Sequence, residues 1–207
     1  LRMAAADTLD TLIQAVGALA AQGLSPATGG NFSLCEDADH FLVTASGRDK
    51  RALTADDFIR AAVHAPLPTT APIPSAEAAL HQRLYRLDPT IGCVLHTHSV
   101  AATVLSRLAP TEALLFEGYE MQKAISGHTT HEQGVALPIF ENTQDIPALA
   151  DRLAQCWESA VLPHAFLVRG HGLYAWGASV AEARRHVEGW EFLMQCRLTE
   201  RLLEGHA

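Results

Sequence analysis

Residues 92 to 100 read "GCVLHTHSV". An apolar run ends in two histidines one residue apart, His96 and His98. The stretch that follows, "SVAATVLSRL", carries its apolar positions at helical spacing. The pattern predicts a buried strand that runs directly into a helix. On a strand, residues i and i+2 point to the same side, so His96 and His98 would present two imidazoles to one pocket. The chain has 11 histidines, so two falling close together decides nothing. At this point the pair is open between a metal site and the polar end of a buried strand.

The alternation of strand and helix extends in both directions. From about Ala5 to Ala21, Leu9, Leu12, Ile13, Val16, Leu19 and Ala20 recur at helical spacing, and Gly23 marks the stop. "TGGNFSL" and "HFLVTASG" read as a turn and two hairpin strands. "LTADDFI" offers Thr54 as an N-cap with acids in the first turn. The Pro-rich "HAPLPTTAPIPS" is a loop too short to link domains, and Ser75 caps the helix "AEAALHQRLYRL". "TEALLFEGYE" is a strand leading into a loop or short helix, "GVALPIF" a strand, and "DIPALADRLAQCWESA" an amphipathic helix. "AFLVRGHGLYAWG" reads as two strands broken at His171, and a long helix runs from Ser179 to Leu203. At least two strand pairs are joined too closely for parallel crossovers. The expectation is a single domain over residues 1–207, with a mixed sheet covered by helices on both faces.

Composition narrows the function. Hydrophobic residues make up 48% and charged residues 18%, with a mean hydropathy of +0.08, which suits a packed core and not a disordered chain. No apolar run approaches bilayer length, and the first residues lack a signal-peptide pattern. A cytoplasmic protein that touches no membrane is expected. The net charge of −8, without a basic block, argues against nucleic acid as a partner. It leaves room for a small anionic substrate. Cys35, Cys93, Cys156 and Cys196 are widely spaced and form no CxxC pair, so buried thiols without a disulfide are expected.

His171 changes the weight of the histidine pair. It follows an apolar strand in "VRGHGLY" and stands between two glycines, which allow a bend and close approach. Three imidazoles with an open position are the arrangement of a catalytic zinc site, and the lack of paired cysteines agrees; Mn²⁺, Co²⁺ and Fe²⁺ are alternatives for the same ligands. The other histidines carry no such argument: His81 and His186 are expected to be surface or capping residues, and His128 and His131 are weaker candidates for the site. A metal that makes the C–H beside a carbonyl acidic needs a base, and Glu77, Glu117 and Glu120 are the available carboxylates. "TGGNFS", "TASGRDK" and "PSAE" offer backbone N–H groups, small hydroxyls, an amide and a lysine. Gly30, Asn31, Ser46, Gly47, Lys50, Ser75 and Glu77 are therefore candidates for substrate binding, with the turns cradling a phosphate. Three ordinary turns would look the same.

Taken in order, "GGNFS", "TASG", "PSAE", "HTH" and "GHG" resemble the class II aldolase/adducin family over nearly the whole chain. The resemblance implies a three-layer αβα sandwich around a mixed, largely antiparallel sheet. It further implies a homotetramer with one Zn²⁺ per subunit, held by His96, His98 and His171. "YEMQKAI" and "PIFENT" resemble a dehydratase branch of the family, a hydro-lyase working on a methylthio-ketose 1-phosphate in methionine salvage. On that resemblance the glutamate before "MQKAI", Glu120, is the catalytic acid/base, Glu117 is out of register, and Glu77 borders the substrate. The alternatives are a sugar-phosphate aldolase or 4-epimerase on the same scaffold, or a non-catalytic adducin-like interaction module.

Overall fold

The computed structural model describes residues 8–204. The first helix, α1 (Leu9–Ala21), is capped by the Thr8 hydroxyl, which accepts from the Thr11 amide; the expected start at Ala5 lies outside the described residues, as does His206. The strands are β1 (Asn31–Cys35), β2 (His40–Thr44), β3 (Phe58–Ala62), β4 (Cys93–Thr97), β5 (Ala113–Phe116), β6 (Val135–Phe140), β7 (Ala165–Val168) and β8 (Gly172–Gly177). The remaining helices are α2 (Ala78–Leu87), α3 (Val100–Leu108), α4 (Ile146–Ser159) and α5 (Val180–Glu204).

All eight strands form one sheet in the order β3-β2-β1-β4-β8-β7-β6-β5. Every neighbouring pair is antiparallel except β6 and β7, which are parallel and joined through α4. The physical reason is loop length: the short links between β1 and β2 and between β7 and β8 permit only hairpins, whereas a parallel return needs a helical crossover. The expected mixed, largely antiparallel sheet is therefore present.

Alternation along the strands divides the core into two layers. On one face Leu95 and Cys93 of β4 and Leu173 and Ala175 of β8 pack with α1, α3 and α5, where Leu12, Val16, Leu105, Trp190 and Leu193 are fully buried. On the other, Val94, Tyr174 and Trp176 pack with Leu80 and Leu84 of α2 and Leu149 and Leu153 of α4. Each leucine or valine among them contributes about 1.5–3 kcal/mol by leaving water. The three-layer sandwich follows, with β4 and β8 at its centre.

Two local expectations are corrected. Thr54 opens only a single 3-10 turn, Ala55–Asp57, after which the chain extends into β3; the alternating apolar residues Ile59 and Ala61 bury on the sheet, and that burial outweighs the capping signal. His81 and His186 are not surface residues, since both are fully buried. His186 donates from Nδ1 to the Trp176 carbonyl at 2.6 Å and accepts the Ser126 amide at Nε2 at 3.1 Å, while burial lowers its pKa to about 4. Among the described residues, no helix is long and apolar enough to cross a membrane.

Candidate metal centre

The central strand delivers the first two histidines. β4 ends at Thr97, and Ser99 caps α3 by accepting the Ala102 amide at 3.0 Å, so His98 sits at the strand–helix junction. Its backbone amide donates to Leu24 O at 2.8 Å. His96 pairs in register with Asn31 of β1 and Tyr174 of β8.

The third histidine comes from the turn between β7 and β8. The His171 amide closes that turn on the Val168 carbonyl at 3.0 Å, and Gly170 takes φ +66°, which a glycine adopts without steric cost. Arg169 pins the turn to the end of α3 by donating to the carbonyls of Ser106 (2.5 Å) and Ala109 (3.1 Å), and it pairs with Glu141 at 2.6 Å. At Gly172 close approach is the issue, because a Cβ there would stand 2.1 Å from the Thr97 carbonyl oxygen and 3.1 Å from the His96 ring.

The three Nε2 atoms converge. His96–His98 is 2.9 Å, His98–His171 is 3.0 Å and His96–His171 is 3.3 Å. Tetrahedral coordination at ordinary zinc–nitrogen lengths places ligand nitrogens about 3.4 Å apart. Glu77, at the start of α2, completes the group: its Oε1 lies 3.1 Å from His171 Nε2 and its Oε2 3.3 Å from His96 Nε2. The ligand atoms of these four residues all lie within 4.8 Å of one another.

Protonation suits a metal as well. His96 Nδ1 faces the Leu173 carbonyl at 2.9 Å and so carries the proton, leaving Nε2 with a bare lone pair. Burial, more than any other cause, lowers the His96 pKa despite the Glu77 carboxylate beside it. Burial and repulsion from His96 and His171 lower His98 to about 3. Burial by itself would raise Glu77, but the His171 and His96 rings beside it hold it well below the usual carboxylate range. Disfavoured charge on His96 and His98, beside an ionised carboxylate, suits metal binding, which requires deprotonated ligands. The donor set fits a divalent ion with nitrogen and oxygen preference.

His98, His171 and Glu77 open onto a cleft of about 640 Å³. Val100, Val104 and Ile146 give it an apolar wall, and Asn142, Thr143 and Gln144 a polar rim. The three candidate cradle turns touch one another, and of their residues Ala76 and Glu77 line the cleft. Asn31 Nδ2 donates to Ser75 Oγ at 3.1 Å and to Glu77 Oε2 at 2.6 Å. Ala45 bridges Pro74, and the Ser46 amide donates to the Ile73 carbonyl at 3.1 Å. Gly30 has φ +82° and Gly47 φ +74°. Lys50 is 2% exposed and donates to Thr28 O at 2.9 Å and Arg48 O at 2.7 Å. Burial lowers its pKa, and its charge is close enough to lower that of His98.

Glu120 stands apart. It opens a 3-10 turn (Glu120–Ala124), its side chain is 70% exposed, and it pairs with Lys123 at 2.5 Å and His131 at 3.2 Å. It does not line the cleft of its own chain, and neither do His128 and His131. Other site residues have no distinct signal in the "HTH" or "GHG" motifs. Tyr174 stacks on His96 with ring centroids 3.9 Å apart, and Thr103 Oγ1 donates to the His171 carbonyl at 3.2 Å. His81 did leave a signal: Glu77, His81 and Tyr85 recur at i, i+4, i+8, one face of a helix.

The chain is similar to known proteins over nearly its whole length. The family described as "Class II Aldolase and Adducin N-terminal domain" matches residues 10–198. A Serratia proteamaculans protein named methylthioribulose-1-phosphate dehydratase is 54% identical over 200 residues, covering 95% of this chain and 97% of its own. A Pectobacterium carotovorum protein of the same name is 54% identical over 202 residues, covering 96% and 97%. Among solved structures, an L-fuculose-1-phosphate aldolase from Thermus thermophilus superposes with a TM-score of 0.78 at 27% identity, covering 96% of each chain. With nearly its whole length matched and a His/Glu cluster at the centre of its sheet, this chain belongs to the class II aldolase and adducin family.

Proposed function

We propose that this chain is a zinc-dependent hydro-lyase that converts 5-methylthioribulose 1-phosphate into 2,3-diketo-5-methylthiopentyl 1-phosphate and water, a step of methionine salvage in the cytoplasm. The observation that carries the reading is 54% identity, over 95% of the chain, to proteins of that name, joined to a complete set of metal-ligand side chains. His96, His98 and His171 hold the ion, with Glu77 as a fourth donor or as the group that borders the substrate. When bound, zinc supplies the Lewis acidity that makes the C–H beside a ketone removable at neutral pH.

The chain's own groups do the rest. Gly30, Ser46, Gly47, Lys50 and Ser75 bind the phosphate end, with Asn31 holding Ser75 from behind, and Lys50 has a third ammonium proton beyond the two its carbonyl partners take. Glu120 takes the C3 proton and returns one to the departing C4 hydroxyl, which leaves as water; the resulting enol then ketonises. Since Glu120 lies outside its own cleft, this role places it in the cleft of a neighbouring copy, within a homotetramer. Its exposure and that of its sequence neighbour Met121 support a subunit contact there.

An aldolase or 4-epimerase acting on a sugar phosphate is the second reading, favoured by the Thermus thermophilus structure, though at 27% identity against 54%. An adducin-like module without catalysis is disfavoured by the intact ligand set. The test is turnover of 5-methylthioribulose 1-phosphate before and after chelation. A diketone formed only with metal supports the dehydratase; release of an aldehyde and dihydroxyacetone phosphate supports the aldolase; no reaction and no bound metal support the module.

A further inference from the structure

Behind Glu77 runs a chain of buried hydrogen bonds whose inner members, His81, Ser33 and Tyr85, the reaction above does not use. One face of α2 and one face of β1 supply it. Tyr85 OH lies 2.7 Å from Ser33 Oγ, Ser33 Oγ 2.7 Å from His81 Nδ1, and His81 Nε2 2.6 Å from Asn31 Oδ1. Asn31 Nδ2 then reaches Ser75 Oγ at 3.1 Å and Glu77 Oε2 at 2.6 Å. His81 and Ser33 are fully buried, and Asn31 and Tyr85 are each 3% exposed.

Counting donors and acceptors gives the chain a single direction. An ionised carboxylate only accepts, so the Asn31 NH₂ must face Glu77, and its two hydrogens are both used. The Asn31 oxygen therefore faces His81 and needs a donor, which makes Nε2 the protonated nitrogen. Burial, then the charge of His96, pushes the His81 pKa down to about 3, so the ring is neutral and Nδ1 is bare. Ser33 donates to Nδ1, and its oxygen accepts from Tyr85. Reversing any link would set two donors or two acceptors against each other in a dry interior, and leaving a buried polar group unpaired costs about 1–3 kcal/mol.

We propose that His81 is a positioning residue for the metal centre: it holds Asn31 in the one orientation that turns its amide hydrogens onto Glu77, and so fixes the carboxylate against His96 and His171. The inference rests on the reading of these four residues as a metal centre. Tyr174 lies between the two rings, edge-on to His81 at 5.9 Å and stacked on His96.

The test uses the full-length protein stripped of metal and titrated with Co²⁺, reading both affinity and the visible d–d absorption. His81→Leu, which cannot donate to Asn31, should weaken Co²⁺ binding about 10–100-fold and shift the absorption, as loss of an outer-shell partner does elsewhere. His81→Gln, with an amide that can donate to Asn31 and accept from Ser33, should restore most of both. Adding Asn31→Ala to His81→Leu should cost no more than either alone, because the two act through one contact. Glu77→Gln is measured alongside. If it changes the absorption while folded His81→Leu does not, the positioning role is wrong. If Glu77→Gln itself is silent, the metal-centre reading of Glu77 fails, and the inference with it. Should His81→Leu not fold, Ser33→Ala takes its place: it frees Nδ1 and leaves the ring, and an unchanged absorption would overturn the proposal.

Discussion

A complementation experiment between two inactive variants tests where Glu120 works. Glu120 is 70% exposed, its partners Lys123 and His131 are also on the surface, and it does not line its own cleft. Exposed ion pairs contribute little to stability, so Glu120→Gln should melt like the parent, and any loss of turnover is chemical. Removing a general acid/base costs about 10²–10⁴-fold in rate. His98→Gln removes one of three nitrogens that lie 2.9–3.3 Å apart and should abolish metal-dependent turnover. Each variant alone is then inactive, for a different reason. In a mixed ring, a cleft works when its own chain keeps His98 and the neighbour facing it keeps Glu120. For equal amounts assembled at random, each condition holds half the time, so roughly a quarter of parental activity should return. Co-expression with two affinity tags, tandem purification of mixed assemblies and a diketone assay supply the measurement. If Glu120 serves its own chain, no cleft in the mixture is complete, and activity stays at the level of the single variants. That result would refute the assignment across a subunit contact.

Three further outcomes are expected. Gly172→Ala sets a methyl group 2.1 Å from the Thr97 carbonyl oxygen, which must part β8 from β4; a loss of about 1–3 kcal/mol in urea unfolding, together with weaker metal binding, is expected, and parental values in both would show that the strands yield freely. Glu191 is buried beneath Thr97 and Ser99 with its pKa raised by burial to about 7. Its folded value lies above its unfolded one, so its contribution is complete below about pH 4.5 and is lost as pH rises through 7. Glu191→Gln should therefore stabilise the apoprotein at pH 8 by up to about 3 kcal/mol relative to its effect at pH 4.5; equal effects at both pH values would contradict the burial argument. Lys50→Met removes the buried ammonium between the Thr28 and Arg48 carbonyls. KM for the phosphorylated substrate should rise about 10–100-fold with kcat less affected, and a fall in kcat alone would place Lys50 outside the phosphate site.

Much of the fold could be read from spacing, because side-chain direction within one element is a local property. Period-two and helical patterns located most strands and helices, and short links forced the β1–β2 and β7–β8 hairpins. "LTADDFI" misled because a capping signal is weak beside the burial of Ile59 and Ala61 on a sheet edge. His81 was misjudged for a related reason: a helix face becomes buried only when another element covers it, and nothing within "AEAALHQRLYRL" says which face β1 will cover.

By itself, then, the sequence determined the order of elements, the three histidines and the turn that displays His171. Family resemblance added Glu120 as a candidate, which lies outside the cleft of its own chain. Only the tertiary structure decided that Asn31 pairs with His96, that α2 packs on that face of the sheet, and that Glu77 thereby stands 3.1–3.3 Å from two imidazoles. The reason is physical. Spacing sets where a side chain points from its own strand or helix, but which elements become neighbours depends on burying the apolar faces of the whole sheet at once, and that sum has no local signature.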